Sequence, residues 1–206
     1  MESAAAATHS APSIETIESL LDVTYTWGYQ ETRQKLRDLY DKAVRAQWIS
    51  DDVLPWKTDV DLSRPQGPEE LMPLFGSDIY QRMTPKERNE INIETFAWTM
   101  SQFMHGEQGA LLATAQLVDS VDNIDSKLYA ASQVVDEARH VDVYNRYVHT
   151  KVGIGYPISP HLKTLLDMIL KDSRWDMKFL GMQIMVEGLA PWSMLIRLRM
   201  WSPFAW

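Results

Sequence analysis

The 206 residues contain no cysteine. That absence removes disulfides, iron–sulfur clusters and thiolate-ligated zinc together, and leaves His and carboxylates as the ligands for any metal. Those ligands suit iron and manganese among other ions. Basic charge is also short: 20 Lys and Arg stand against 28 Asp and Glu, for a net charge of −8. An acidic surface of this kind argues against general binding to nucleic acid or to anionic membranes. No apolar run reaches the roughly 20 residues of a membrane-spanning helix. The first 13 residues carry neither a basic start nor an apolar stretch, so they read as a disordered tail of a cytoplasmic protein, not as a signal peptide. No segment of useful length alternates with the period of a strand, and there are no internal repeats. What is present is 45% hydrophobic and 23% charged, the balance of one globular domain with a sizeable core. Eleven Met and eight Trp point to a roomy, aromatic-rich helical interior.

Taken in order, Ser13-Ile14-Glu15-Thr16 offers a helix start, with Ile14, Ile17, Leu20 and Leu21 at helical spacing. A second helix is expected from about residue 30 to 48, with Leu36, Leu39, Tyr40, Ala43 and Ala46 on one stripe. From 49 to 76 the periodicity vanishes into Pro, Asp and Trp, an irregular arm with a short helix near 69–75. Thr84-Pro85-Lys86-Glu87 is a capping box with proline at the first helical position. The helix it opens runs to about Val121. A short turn over 119–125 makes the next helix, about 126–151, its antiparallel neighbour. Gly153-Ile154-Gly155-Tyr156-Pro157 ends that one, and Ser159-Pro160 starts another to about Lys171. After a break near Asp172-Ser173, a further helix continues from Trp175. The expected division is a tail over 1–13, an N-terminal helix and arm over 14–83, and a helical bundle over 84–206.

Glu137-Ala138-Arg139-His140 is the one Glu-x-x-His in the chain. Residues three apart share a helix face. That face is otherwise apolar, with Ala130, Val134, Val141 and Tyr144. Burying a carboxylate and an imidazole there is costly unless something pairs with them, and a metal is one such partner. Two more carboxylates fall in apolar stripes: Glu107, following Phe96, Met100 and Phe103, and Glu187, following Leu180 and Ile184. Singly, each reads as an ordinary ion-pair residue. Together they follow the order of the di-iron carboxylate recipe, Glu, Glu-x-x-His, Glu, with the second Glu-x-x-His missing.

On these residues the chain resembles the ferritin-like di-iron carboxylate proteins. The resemblance lies in Phe103-Met104-His105-Gly106-Glu107, Asp136-Glu137-Ala138-Arg139-His140 and Gly181-Met182-Gln183-Ile184-Met185-Val186-Glu187. Gln47-Trp48 and Trp56-Lys57-Thr58-Asp59-Val60-Asp61 are similar to the arm that precedes the bundle in such proteins. The nearest groups are ribonucleotide reductase small subunits, multicomponent monooxygenases and arylamine N-oxygenases, over about Tyr40 to Ala190. The resemblance implies an all-α ferritin-like bundle and an O2-dependent oxidation of a small organic substrate, with electrons from an external donor. It implies Glu107 and Glu187 as ligands, Glu137 as a bridge between two irons (or manganese), His140 as a ligand to one, and Asp136 as support for a ligand histidine. The histidine Asp136 would hold belongs to the missing motif.

From Pro191 the text changes to a Trp-, Arg- and Pro-rich end, and the expectation is a bundle lacking its last helix. An apolar groove beside Phe103, Val134 and Ile184 would then be exposed, favouring a homodimer. Tyr129, Tyr144 and Tyr147 read as packed rings in preference to a radical relay. His105 falls on another face from Glu107, and His149 and His161 flank a loop. Two other readings remain: an iron-binding or storage protein without substrate oxidation, and a non-catalytic helical remnant.

Overall fold

The computed structural model describes residues 14–30 and 32–188, and every element in them is helical. Both the tail over 1–13 and the segment beyond Pro191 lie outside the described residues. The elements are α1 (Gln34–Arg45), α2 (Ser50–Val53), α3 (Asp78–Arg82), α4 (Pro85–Ser120), α5 (Ile124–Tyr147), α6 (Pro160–Lys171) and α7 (Trp175–Lys178), with a 3-10 turn at Glu69–Leu71. Two stretches are π-helical: Val148–Val152, which continues α5, and Phe179–Val186, which continues α7. None of the described helices is long and apolar enough to cross a membrane.

The spine is α4, 36 residues and about 54 Å at 1.5 Å per residue. It starts where the capping box places it. The Thr84 side chain accepts from the Glu87 N–H, and the Glu87 carboxylate accepts from the Thr84 N–H at 2.7 Å. Asn123 caps α5 by accepting from the N–H groups of Asp125 and Ser126. The two helices run antiparallel, as three facing pairs show: Phe96 with Tyr147, Phe103 with Tyr144, and Glu107 with His140. Helix α1 is tied to the start of α5 by the buried Asp125, which accepts from the Arg33 N–H at 2.8 Å and pairs with Arg37 at 2.9 Å.

The connector after α5 turns at Gly153, whose φ of 75° suits glycine. It is then hooked along α4. Ser101 Oγ accepts from the Tyr156 N–H, Gln102 Nε2 donates to the Pro157 carbonyl, and Gln102 Oε1 accepts from the Ser159 N–H. Helix α6 is thereby laid against the C-terminal half of α4, where Ala110, Ala113, Leu166, Ile169, Leu170 and Met182 form the densest core.

Two expectations need correction. Residues 14–28 are not helical. Of the four apolar residues at helical spacing, Ile17 alone packs against that core, and Leu20 is 73% exposed. The segment crosses the bundle as a strap. Its polar groups are taken by tertiary partners: the Thr24 N–H by the Asp119 carbonyl, Thr26 Oγ1 by the Asp122 carbonyl, and Glu15 by Lys163. The β-branched and aromatic run Val23-Thr24-Tyr25-Thr26-Trp27 favours extended backbone. The second correction concerns 179–186. The apolar stripe through Leu180 and Ile184 assumes α-helical phase, but the wider π-turns shift that phase. Met182 is the buried side chain there, and Ile184 is exposed, as expected of a residue beside an open groove, with Leu180 exposed next to it.

Candidate metal centre

Glu107, Glu137 and His140 converge between α4 and α5. One donor atom from each lies within 4.8 Å of the others. His140 Nδ1 is 3.1 Å from Glu107 Oε2 and 3.2 Å from Glu137 Oε2. Helix phase explains the meeting: Glu137 and His140 share a face of α5, and that face meets the Phe103–Glu107 stripe of the antiparallel helix. Glu137 is 7% exposed and the His140 side chain 42% exposed, so the cluster reaches from the core to an imidazole that is partly open.

Such a cluster must be neutralised by protons or by a cation. Hydrogen bonding to Glu107 and then Glu137 raises the His140 pKa to about 10 against the opposing effect of burial. Burial, with Glu107 nearby, pushes the Glu137 carboxyl up. Glu187 reaches the neighbourhood from the end of the π-helical stretch but stands outside the tight group. Burial first, then the charges of Glu107 and Glu137, raises it to about 7. Its segment is held by Gln183, which donates to Thr114 Oγ1 of α4 at 2.8 Å and accepts from Gln133 Nε2 of α5 at 3.4 Å. Two carboxylates and one imidazole, with a third carboxylate close by, are a donor set that fits divalent iron or manganese.

Asp136 is occupied by Arg139, one turn on along α5. Arg139 in turn stands over the Trp48 ring, 5.5 Å from its centroid. His105 leaves the cluster, its Nε2 lying 3.0 Å from the Tyr156 carbonyl. His149 and His161 are exposed. Tyr144 and Tyr147 pack against Phe103 and Phe96 with centroids 5.9 and 6.4 Å apart, and burial raises the pKa of both phenols.

From the cluster a cavity of about 500 Å³ extends along α4. Phe96, Met100 and Phe103 line it from α4, and Val143, Tyr144 and Tyr147 from α5. Trp48, together with Leu54 and residues 66–68 of the irregular arm, forms a further wall. Sequence reasoning missed Gln66 and Asn92, the amides at its far end. Asn92 was within reach, since it continues the Phe96, Met100, Phe103, Glu107 stripe by one turn. Gln66 had no such signal.

A helical bundle with carboxylates and a Glu-x-x-His converging between two long helices defines the ferritin-like di-iron carboxylate class. Comparison with protein families narrows this: the model described as P-aminobenzoate N-oxygenase AurF matches residues 29–188. The chain therefore belongs to that family, a group of ferritin-like di-iron oxygenases. No curated protein and no solved structure gives a match.

Proposed function

We propose that this protein carries out an iron- and O2-dependent oxidation of a small organic substrate held in the cavity beside Glu107 and His140. The observation that carries the reading is the convergence of three ligating side chains from two helices at the head of an apolar, aromatic-walled cavity. In this reading Glu107, Glu137 and His140 hold metal, and Glu187 supplies a further carboxylate from the α7 side. They provide half of a two-metal site, which a second copy of the chain completes. Bound there, iron supplies the activation of dioxygen toward the substrate.

The chain's own residues prepare that chemistry in three ways. Glu107 and Glu137 offset the charge of a divalent ion in a position where their own burial is otherwise costly. Displacement of the proton shared by His140 and the carboxylates couples metal binding to proton release. The walls of Phe96, Met100, Phe103 and the two tyrosines exclude water and hold a substrate with its oxidisable group at the cluster.

The test is an assay of the full chain after anaerobic Fe(II) loading, exposed to air with an external reductant and a panel of arylamines. Substrate-dependent oxygen uptake with an oxidised product, abolished in Glu137→Ala and His140→Ala, is expected. Iron binding with no oxidation of any amine would instead favour the iron-binding reading.

A further inference from the structure

The two ends of the cavity differ in chemistry. One end is the ionisable cluster at Glu107 and His140. The other is a pair of buried amides, Gln66 at 6% and Asn92 at 4% exposure. Gln66 Nε2 donates to the carbonyls of Asp61 at 2.7 Å and Arg64 at 2.8 Å. Two carbonyl partners fix which way the amide lies, nitrogen toward the arm backbone. Its Oε1 is left without a hydrogen-bond partner. Asn92 Oδ1 accepts from the Gln66 N–H at 2.7 Å, which leaves the Asn92 amide NH2 as the group it can offer.

That acceptor has almost no accessible surface, so a ligand in the cavity does not reach it. No hydrogen bond among the described residues takes the Asn92 NH2, a costly state for a buried donor that a ligand's acceptor relieves. Between the two ends the walls are apolar and aromatic. No Lys or Arg is among the described lining residues. The separation is large: Asn92 and Glu107 are about 22 Å apart along α4 at 1.5 Å per residue.

We infer that the cavity takes an elongated, electrically neutral substrate. Its oxidisable end sits at Glu107 and His140, its apolar body lies along α4, and a neutral hydrogen-bonding terminus such as a primary amide meets the Asn92 NH2. The choice of reacting end rests on the oxygenase reading, whereas the length and charge preferences rest on the cavity alone. A single-ring anion of the aminobenzoate kind fits poorly. It fills a fraction of the length, and a carboxylate at the far end finds no Lys or Arg among the described lining residues to offset its desolvation.

The experiment measures equilibrium binding of 4-aminophenyl alkanamides and the matching alkanoates, with chain length stepped, to the full chain without iron and again with Fe(II) under anaerobic conditions. Amide affinity is expected to rise about three- to fourfold per methylene until the cavity is filled. Each long amide should bind at least about tenfold tighter than its carboxylate. Asn92→Asp keeps an acceptor for the Gln66 N–H but removes the NH2, and should lower long-amide affinity about tenfold while leaving the shortest amide unchanged. Equal or tighter binding of the carboxylates, no dependence on length, or no binding by any member would overturn the inference, and all three read out on the unaltered chain. Selective binding of long amides by a chain that oxidises none of them would refute the oxygenase reading and leave this one standing.

Discussion

Helix α4 has two halves that meet at Glu107, and they are built differently. On the C-terminal side small residues bring helices close. Gly109, Ala110 and Ala113 lie against Leu166, and a Cβ placed on Gly109 would fall 2.5 Å from Leu166 Cδ2. On the N-terminal side the stripe is Asn92, Phe96, Met100, Phe103, and it borders a cavity. Large side chains there do not fill the space, because the arm over 49–76 stands off the bundle as a wall. The dense half fixes where Glu107 sits, and the hollow half leaves room for something to sit beside it. A fixed cluster next to an open volume is what the proposed oxidation site needs.

The contrast can be broken by mutation. Leu166→Ala strikes the dense half and should cost about 2–5 kcal/mol, the range for a buried leucine that leaves a cavity. Urea denaturation measures it, and ligand affinity should be unchanged. Gly109→Ala overpacks the same contact and should cost about 1–3 kcal/mol. The two changes should be strongly coupled. With Leu166 already shortened, the added methyl group has space, so the double variant should lose less than the sum of the singles. Additive losses would mean that the close approach does not limit packing.

Phe96→Ala strikes the hollow half. Its ring is half-buried and meets Tyr147 edge-on, so the stability loss should be about 1–2 kcal/mol, below the range for a fully buried phenylalanine. Its main effect should fall on ligand affinity, the reverse of Leu166→Ala. Smallest is Thr84→Ala, which removes the side-chain cap at the N-terminus of α4, about two turns before Asn92, and should cost about 1 kcal/mol with no change in ligand or metal binding. If Phe96→Ala proved as destabilising as Leu166→Ala, the distinction between the two halves would fail.

Much of the fold was legible because its signals are local. The capping box at Thr84, the Ser159-Pro160 start and the glycine stop at 153 each act through a few bonds. The convergence of Glu107 with Glu137 and His140 follows from two apolar stripes and a short turn that makes their helices antiparallel. What stayed hidden depends on tertiary partners. The strap over 14–28 is extended because Thr24, Thr26 and Glu15 find groups far along the chain, whereas its apolar spacing imitates a helix. The π-helical phase of 179–186 has no marker in composition, so the full burial of Met182 was not foreseen. Gln66 lies in a Pro- and Gly-rich stretch, where nothing in the text says that the arm folds back to hand an amide to Asn92.

The most direct test is iron per chain after anaerobic Fe(II) loading and desalting, for the unaltered protein beside Glu137→Ala, His140→Ala and Phe96→Ala. Iron retained by the unaltered protein and by Phe96→Ala, and lost from both ligand variants, is the expected result. Iron absent from the unaltered protein, or held equally by all four, would contradict a metal centre at Glu107, Glu137 and His140.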